Sequence, residues 1–200
     1  MFDDACAVTI SAFHDQQLTM PQWGKTLPAK FHEGVWQYIE RNHRYNSLLW
    51  DEEDLARRKN VPDSAIAANK RAIDGYNQKR NDAIECIDDL LLHRLTDVLA
   101  DADARLNSET AGSIIDRLSI ISLKIFHMQL QVKRIDVSAA HIDACSGKLE
   151  RLHEQRHDLQ HCLDALLADC AAGRMYFKIY RQFKMYNDPT LNPYLYSRTA

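Results

Sequence analysis

The chain has 200 residues, of which 46% are hydrophobic, and a formal net charge of −3. That length supports one buried core and excludes a second independent one, and the slight acidity excludes general attraction to nucleic acid or an anionic membrane. No run approaches the roughly 20 apolar residues of a membrane span. The start, MFDDACAVTISAF, is acidic where a secretory leader would be basic. Five scattered cysteines without a C-x-x-C pair read as reduced thiols. A cytoplasmic location without membrane insertion is expected.

Six glycines, five prolines and no segment of alternating polarity predict an all-α chain. A short first helix is expected over about 3–18, ending before Pro21. Pro28 suits the first turn of a second helix reaching about Lys59. Pro62 and Asp63 open a third, which the apolar pattern carries to about Leu106, with a bend allowed at Gly75. The polar turn NSETAGS follows, where Ser113 and Asp116 have capping-box spacing. A fourth helix, apolar around most of its circumference, runs to about Ile135 and should be central; Asp116, Arg117, Lys124, His127, Gln131 and Arg134 form a narrow polar sector on it. Ser138 caps a fifth reaching about Ala172, and Gly173 precedes a sixth that stops at YNDPTLNP. The expected architecture is a single antiparallel bundle of long helices with a short extra helix at each end.

Polar groups interrupt the apolar stripes. On the third helix Asn77 and Arg80 lie among Ile73, Ile84, Ile87 and Leu91, with Asp74 and Asn81 on the shoulder. A buried guanidinium left unpaired costs several kcal/mol, so partners are required. The second helix offers His43, Asn46, Glu53, Asp54 and Arg57 on a face that also carries Trp36 and Trp50. An antiparallel hairpin turning near residue 60 sets His43 and Asn46 opposite Asp74–Arg80, and Glu53 to Arg57 near Lys70. The resulting seam reads equally as a salt-bridge network or as a pocket, with Glu53, Asp54 and Asp74 as expected partners of Arg80. As a pocket, it would bind a small anion through Arg57, Lys70, Asp74, Asn77, Arg80 and Asn81. His43, Glu53 and Asp54 would then be the acid–base candidates.

A second polar centre is expected where the fourth helix begins. Ser108, Thr110, Ser113 and Arg117 would meet Lys178 and Arg181 of the sixth helix, whose cations also include Arg174 and Lys184, to hold an anion on free N–H groups. Three Glu-x-x-His pairs, at Glu40, Glu150 and Glu154, have di-iron spacing, yet the last two fall in a hydrophilic row that reads as solvated. Asp82, Glu85 and Asp89 could form a magnesium row. Neither motif is strong enough to assign a metal, and no cofactor is named by the sequence.

The strings LLWDEEDLAR, KRAIDGYNQKRNDAIECID, LNSETAGSIIDRLSIISLKIFHM and YRQFKMYNDPTLNP resemble, in order, the motifs of the bacterial domain of unknown function 4254, over roughly residues 30–194. Tyr76 stands where an aliphatic residue is expected. The resemblance implies no established activity. It implies a bacterial protein whose relatives occur near genes for envelope polysaccharide assembly, and it places Trp50, Glu53, Asp54, Arg57, Asp74, Asn77, Arg80, Asn81, Asp116 and Arg117 within family motifs. The expected function is binding, with processing as an extension, of a small anionic ligand such as a sugar phosphate or nucleotide sugar. A non-enzymatic interaction module docking a protein is the alternative, and a magnesium-dependent all-α phosphohydrolase a further one. A homo-oligomer is compatible with each.

Overall fold

The computed structural model describes residues 6–181, 185 and 188–196. In chain order these form α1 (Ala7–Leu18), α2 (Trp23–Thr26), α3 (Gly34–Leu55), α4 (Asp63–His93), β1 (Arg105–Asn107), α5 (Ala111–Val132), α6 (Ala139–Ala171), β2 (Met175–Phe177) and α7 (Pro193–Tyr196). The architecture is an all-α bundle of four long helices. The mostly apolar α5 is central, packed against α1, α3, α4 and α6. Its Ile114, Ile115, Leu118 and Ile125 interlock with Ile10 of α1, Ile39 of α3, Ile87 and Leu91 of α4, and Leu163 and Leu166 of α6. No helix is long and apolar enough to cross a membrane among the described residues.

Helices α3 and α4 form the expected hairpin. Its register is pinned where Asn69 Nδ2 donates to Glu52 at 2.6 Å and Lys70 Nζ lies 3.7 Å from Glu53. Helix α3 starts at Gly34 rather than at Pro28, because Glu40 gathers the preceding backbone. Its buried carboxylate accepts from the N–H groups of Lys30 and Phe31 at 2.9–3.0 Å and from Arg44 at 3.1 Å, holding 28–33 as a loop.

Three other expectations are corrected. Helix α4 ends at His93, not near Leu106, with the Thr96 hydroxyl donating to the His93 carbonyl at 2.7 Å; beyond it Leu99 is exposed, without the packing a longer helix would need. The cap of α5 is Thr110, whose side chain accepts from Ser113 N–H, so the expected Ser113–Asp116 box is not formed. The sixth helix is absent over its first turns. Gly173, at φ 75°, ends α6 with Arg174 N–H bonded to the Asp169 carbonyl and its own N–H to that of Cys170. The chain then leaves as β2, parallel to β1, with Leu106 opposite Tyr176. Ser138 caps α6 as expected, and Gly75 does not interrupt α4. Lys184 and Phe183 of the expected sixth helix lie outside the described residues.

Helices α4 and α5 approach closely at Gly112, where a Cβ would stand 2.6 Å from the Ile84 carbonyl oxygen and 2.9 Å from the Asp88 carboxylate. Gly112→Ala should therefore lower stability by about 1–3 kcal/mol, as overpacking does. Gly75→Ala, with nothing within 4 Å of the added carbon, should raise it by up to about 1 kcal/mol. Thermal denaturation of the two variants checks the contrast in sign.

Candidate functional site

The polar seam forms, but around a residue of α5. Asp116 Oδ1 accepts from Asn42 Nδ2 and from Asn46 Nδ2, each at 2.8 Å, and lies 3.9 Å from Arg80 Nε. The second hydrogen of the Asn46 amide reaches Ser119 Oγ at 3.0 Å, which lies 2.8 Å from His43 Nδ1. His43 Nε2 lies 3.1 Å from the His14 carbonyl, and a carbonyl only accepts, so Nε2 carries the proton and Nδ1 accepts from the Ser119 hydroxyl. Every hydrogen bond of this chain thus has one permitted direction. His43, Asn42 and Ser119 are 0% exposed.

On the solvent side of this floor lies a cavity of about 270 Å³, walled by Asn46, Trp50, Glu53, Asp54, Arg57 and Arg80 among others. Two buried donors on its wall have no acceptor among the described residues, Arg80 Nε and Trp50 Nε1. The 3.9 Å separation from Asp116 is Coulombic contact, too long for a hydrogen bond. Arg57 is held by Glu53 at 2.9 Å. The indole of Trp50 is stacked on His127 of α5 at 4.4 Å and 9°.

Of the candidates read from sequence, the fold brings Glu53, Asp54, Arg57 and Arg80 to this cavity, and Lys70 to its edge through Glu53. Asn77 is half-buried, Asn81 buried and Asp74 exposed; none of the three lines the cavity. Arg80 pairs with Asp116 and not with the expected Glu53, Asp54 or Asp74, because α5 crosses the hairpin and the polar faces of α3 and α4 turn to it together. His43 connects to the cavity only through Ser119 and Asn46. The Asn42–Asn46 spacing of four along α3 was the available sign of such a polar row; His14, from another helix, gave none.

The second centre is assembled differently. Gly112 N–H at the start of α5 donates to Asp88 Oδ1 at 2.6 Å, and Thr110 also bonds that carboxylate while taking the Ser113 N–H at 3.1 Å. The protein's own carboxylate therefore occupies the helix N-terminus. Ser108 is exposed, Arg117 forks onto Glu109 at 2.8 and 2.9 Å, and Lys178 lies over Tyr176. Arg181 bridges Glu85 and Asp89 at 2.6 and 3.0 Å, which puts a guanidinium on two of the three carboxylates of the candidate magnesium row. His153, His157 and His161 of α6 are exposed.

Burial sets the titration of this interior. It pushes His43 down to about 3, against the hydrogen bond to the His14 carbonyl, and holds His14 well below its ordinary value, aided by His43 and Arg156. It also pushes Asp88 up to about 6, against the Thr110 and Gly112 hydrogen bonds. The imidazoles take up protons only on unfolding, so they cost stability as pH falls below about 6.5. Asp88 works oppositely, since the folded protein takes its proton near pH 6 and the unfolded chain only near 3.8. Chemical denaturation from pH 6.5 to 4 should show stability falling by at least one net proton, or ~1.4 kcal/mol per pH unit, because burial also holds the half-buried His127 below its ordinary value. Asp88→Asn should steepen the slope by about one further proton.

No curated protein and no solved structure matches the chain. A family model described as protein of unknown function (DUF4254) matches residues 36–179, which include all of α4, α5 and α6 and most of α3. The chain belongs to the DUF4254 family.

Proposed function

We propose that the protein binds a small anionic ligand in the cavity between α3, α4 and α5. The supporting observation is that Arg80 Nε and Trp50 Nε1, two buried donors without acceptors among the described residues, belong to residues of the same wall. Leaving a buried donor unmet costs about 1–3 kcal/mol, more when it is charged, so an acceptor oxygen entering here recovers what folding left unspent. Arg80 and Arg57 supply the positive charge, Asn46 a fixed amide, and Glu53 and Asp54 the groups that would give or take a proton in any processing step. His43 acts as a positioning residue, holding Ser119 and through it Asn46.

A phosphorylated or carboxylated molecule fits a guanidinium better than a neutral one does. The family resemblance narrows this to a sugar phosphate or nucleotide sugar connected with bacterial cell-envelope polysaccharide, acting in the cytoplasm. A docking role has its own observation, the exposed Tyr194, Leu195 and Tyr196 of α7. Deleting 188–200 should abolish partner capture on that reading and leave ligand binding intact on the first.

The decisive variant is Arg80→Met, which keeps the aliphatic stem and removes the charge. Native mass spectrometry of the purified wild type is expected to show a bound anionic small molecule that Arg80→Met loses while keeping a wild-type circular dichroism spectrum. An unchanged bound species in a folded Arg80→Met protein would sink the reading.

A further inference from the structure

Beyond Trp50 and Asp54 a second, larger cavity of about 550 Å³ opens between α3, α5 and α6, within the roughly 300–1,000 Å³ of small-molecule sites. Its floor is the polar sector of α5, where Lys124, His127, Met128 and Gln131 share one face. Opposite, α6 presents Lys148, Arg151, Leu152 and Gln155 at the same helical spacing, and α3 closes the end with Trp50 and Asp54.

The charge on this wall is unbalanced. Lys124, Lys148 and Arg151 make no ion pair among the described residues, as holds also for other exposed cations such as Lys59 and Lys133; what sets these three apart is that they line one cavity. The chain has 28 acidic residues against 25 basic ones, so acids are not scarce. Asp54 is the one carboxylate on the wall. Three cations from two helices against one carboxylate leave an excess of positive charge, which suits a ligand bearing more than one negative charge. The remaining wall carries the Trp50–His127 ring stack beside Met128 and Leu152. An inorganic anion would leave that part unused.

We infer that this cavity is a binding site, distinct from the one proposed at Arg80, for a flat heteroaromatic ligand bearing two or more negative charges, the chemical class of a nucleoside diphosphate. Its anionic groups lie among Lys124, Lys148 and Arg151, and its ring body lies against the Trp50, His127, Met128 and Leu152 side. The Gln131 and Gln155 amides offer donors and acceptors to the ring edge.

The test is calorimetric titration of the full chain with ADP, with inorganic pyrophosphate and with adenosine. The variants are Lys148→Met/Arg151→Met and, as a charge-matched control, Lys59→Met/Lys133→Met. All four of these side chains are exposed, so folding should be preserved, and circular dichroism verifies it. The expected result is ADP binding that weakens by about tenfold or more in Lys148→Met/Arg151→Met and less than about threefold in the control, with pyrophosphate and adenosine each about tenfold weaker on wild type. No ADP binding at about 1 mM, or equal losses in the two double variants, overturns the proposal. Pyrophosphate binding as tightly as ADP removes the flat ligand body from it. Loss in Arg80→Met with none in Lys148→Met/Arg151→Met would place ADP in the smaller cavity, overturning this second site while leaving the first reading in place.

Discussion

A single carboxylate oxygen, Asp116 Oδ1, ties the long helices of the N-terminal half to the central one. It accepts two amide hydrogens from α3 and neutralises a guanidinium from α4 at the position where an otherwise apolar α5 passes them. Removing one partner of such a buried arrangement costs about 3–5 kcal/mol, because the others are left without compensation. Packing alone would let α5 slide or rotate against the hairpin, since one aliphatic ridge resembles the next. A fixed acceptor with three convergent partners permits one register. The same choice leaves Arg80 beside its counter-charge, short of a hydrogen bond, and open on its other side to the cavity.

The polar clusters of the molecule fall into two kinds. At the start of α5 and along the outer face of α4, the protein completes its own coordination: Asp88 takes the free N–H groups, and Arg181 covers the acidic row. In the cavities along α5 some donors and cations stand without partners among the described residues. Self-completion is what a structural cluster requires. Unmet donors also occur elsewhere, at His14, Gln17, Ser47 and Ser122, but those of Arg80 and Trp50 belong to one cavity wall within the family-matched span, which suits a surface adapted to something else.

The helical content was legible because its signals are local. Pro62 and Ser138 mark ends through residues that act on their neighbours in sequence, and the polar turn before α5 announces itself by composition although Thr110 and Gly112 also reach Asp88 of α4. The two strands were not legible: Met175–Phe177 finds its partner at Arg105–Asn107, across the whole α5–α6 hairpin, and Gly173 reads equally as a helix opener until its positive φ is known. The need of Arg80 for a counter-charge followed from its place on an apolar stripe. Which carboxylate supplies it depended on how a third helix crosses the hairpin, which periodicity does not encode. The cations of α6 at Lys148 and Arg151 carried no signal at all, because on one helix they look like ordinary solvated positions.

Asp88 at the N-terminus of α5 has a consequence for how charge is recognised elsewhere on that helix. With the positive end of the dipole already engaged by an internal carboxylate, a ligand along α5 meets only side-chain charges on flexible stems. Those at Lys124, Lys148 and Arg151 face water, where fields decay over about 8 Å at physiological ionic strength. Attraction to the larger cavity is therefore tuned by the salt around the protein, while the backbone field at the start of α5, which salt screens far less, is engaged inside the fold.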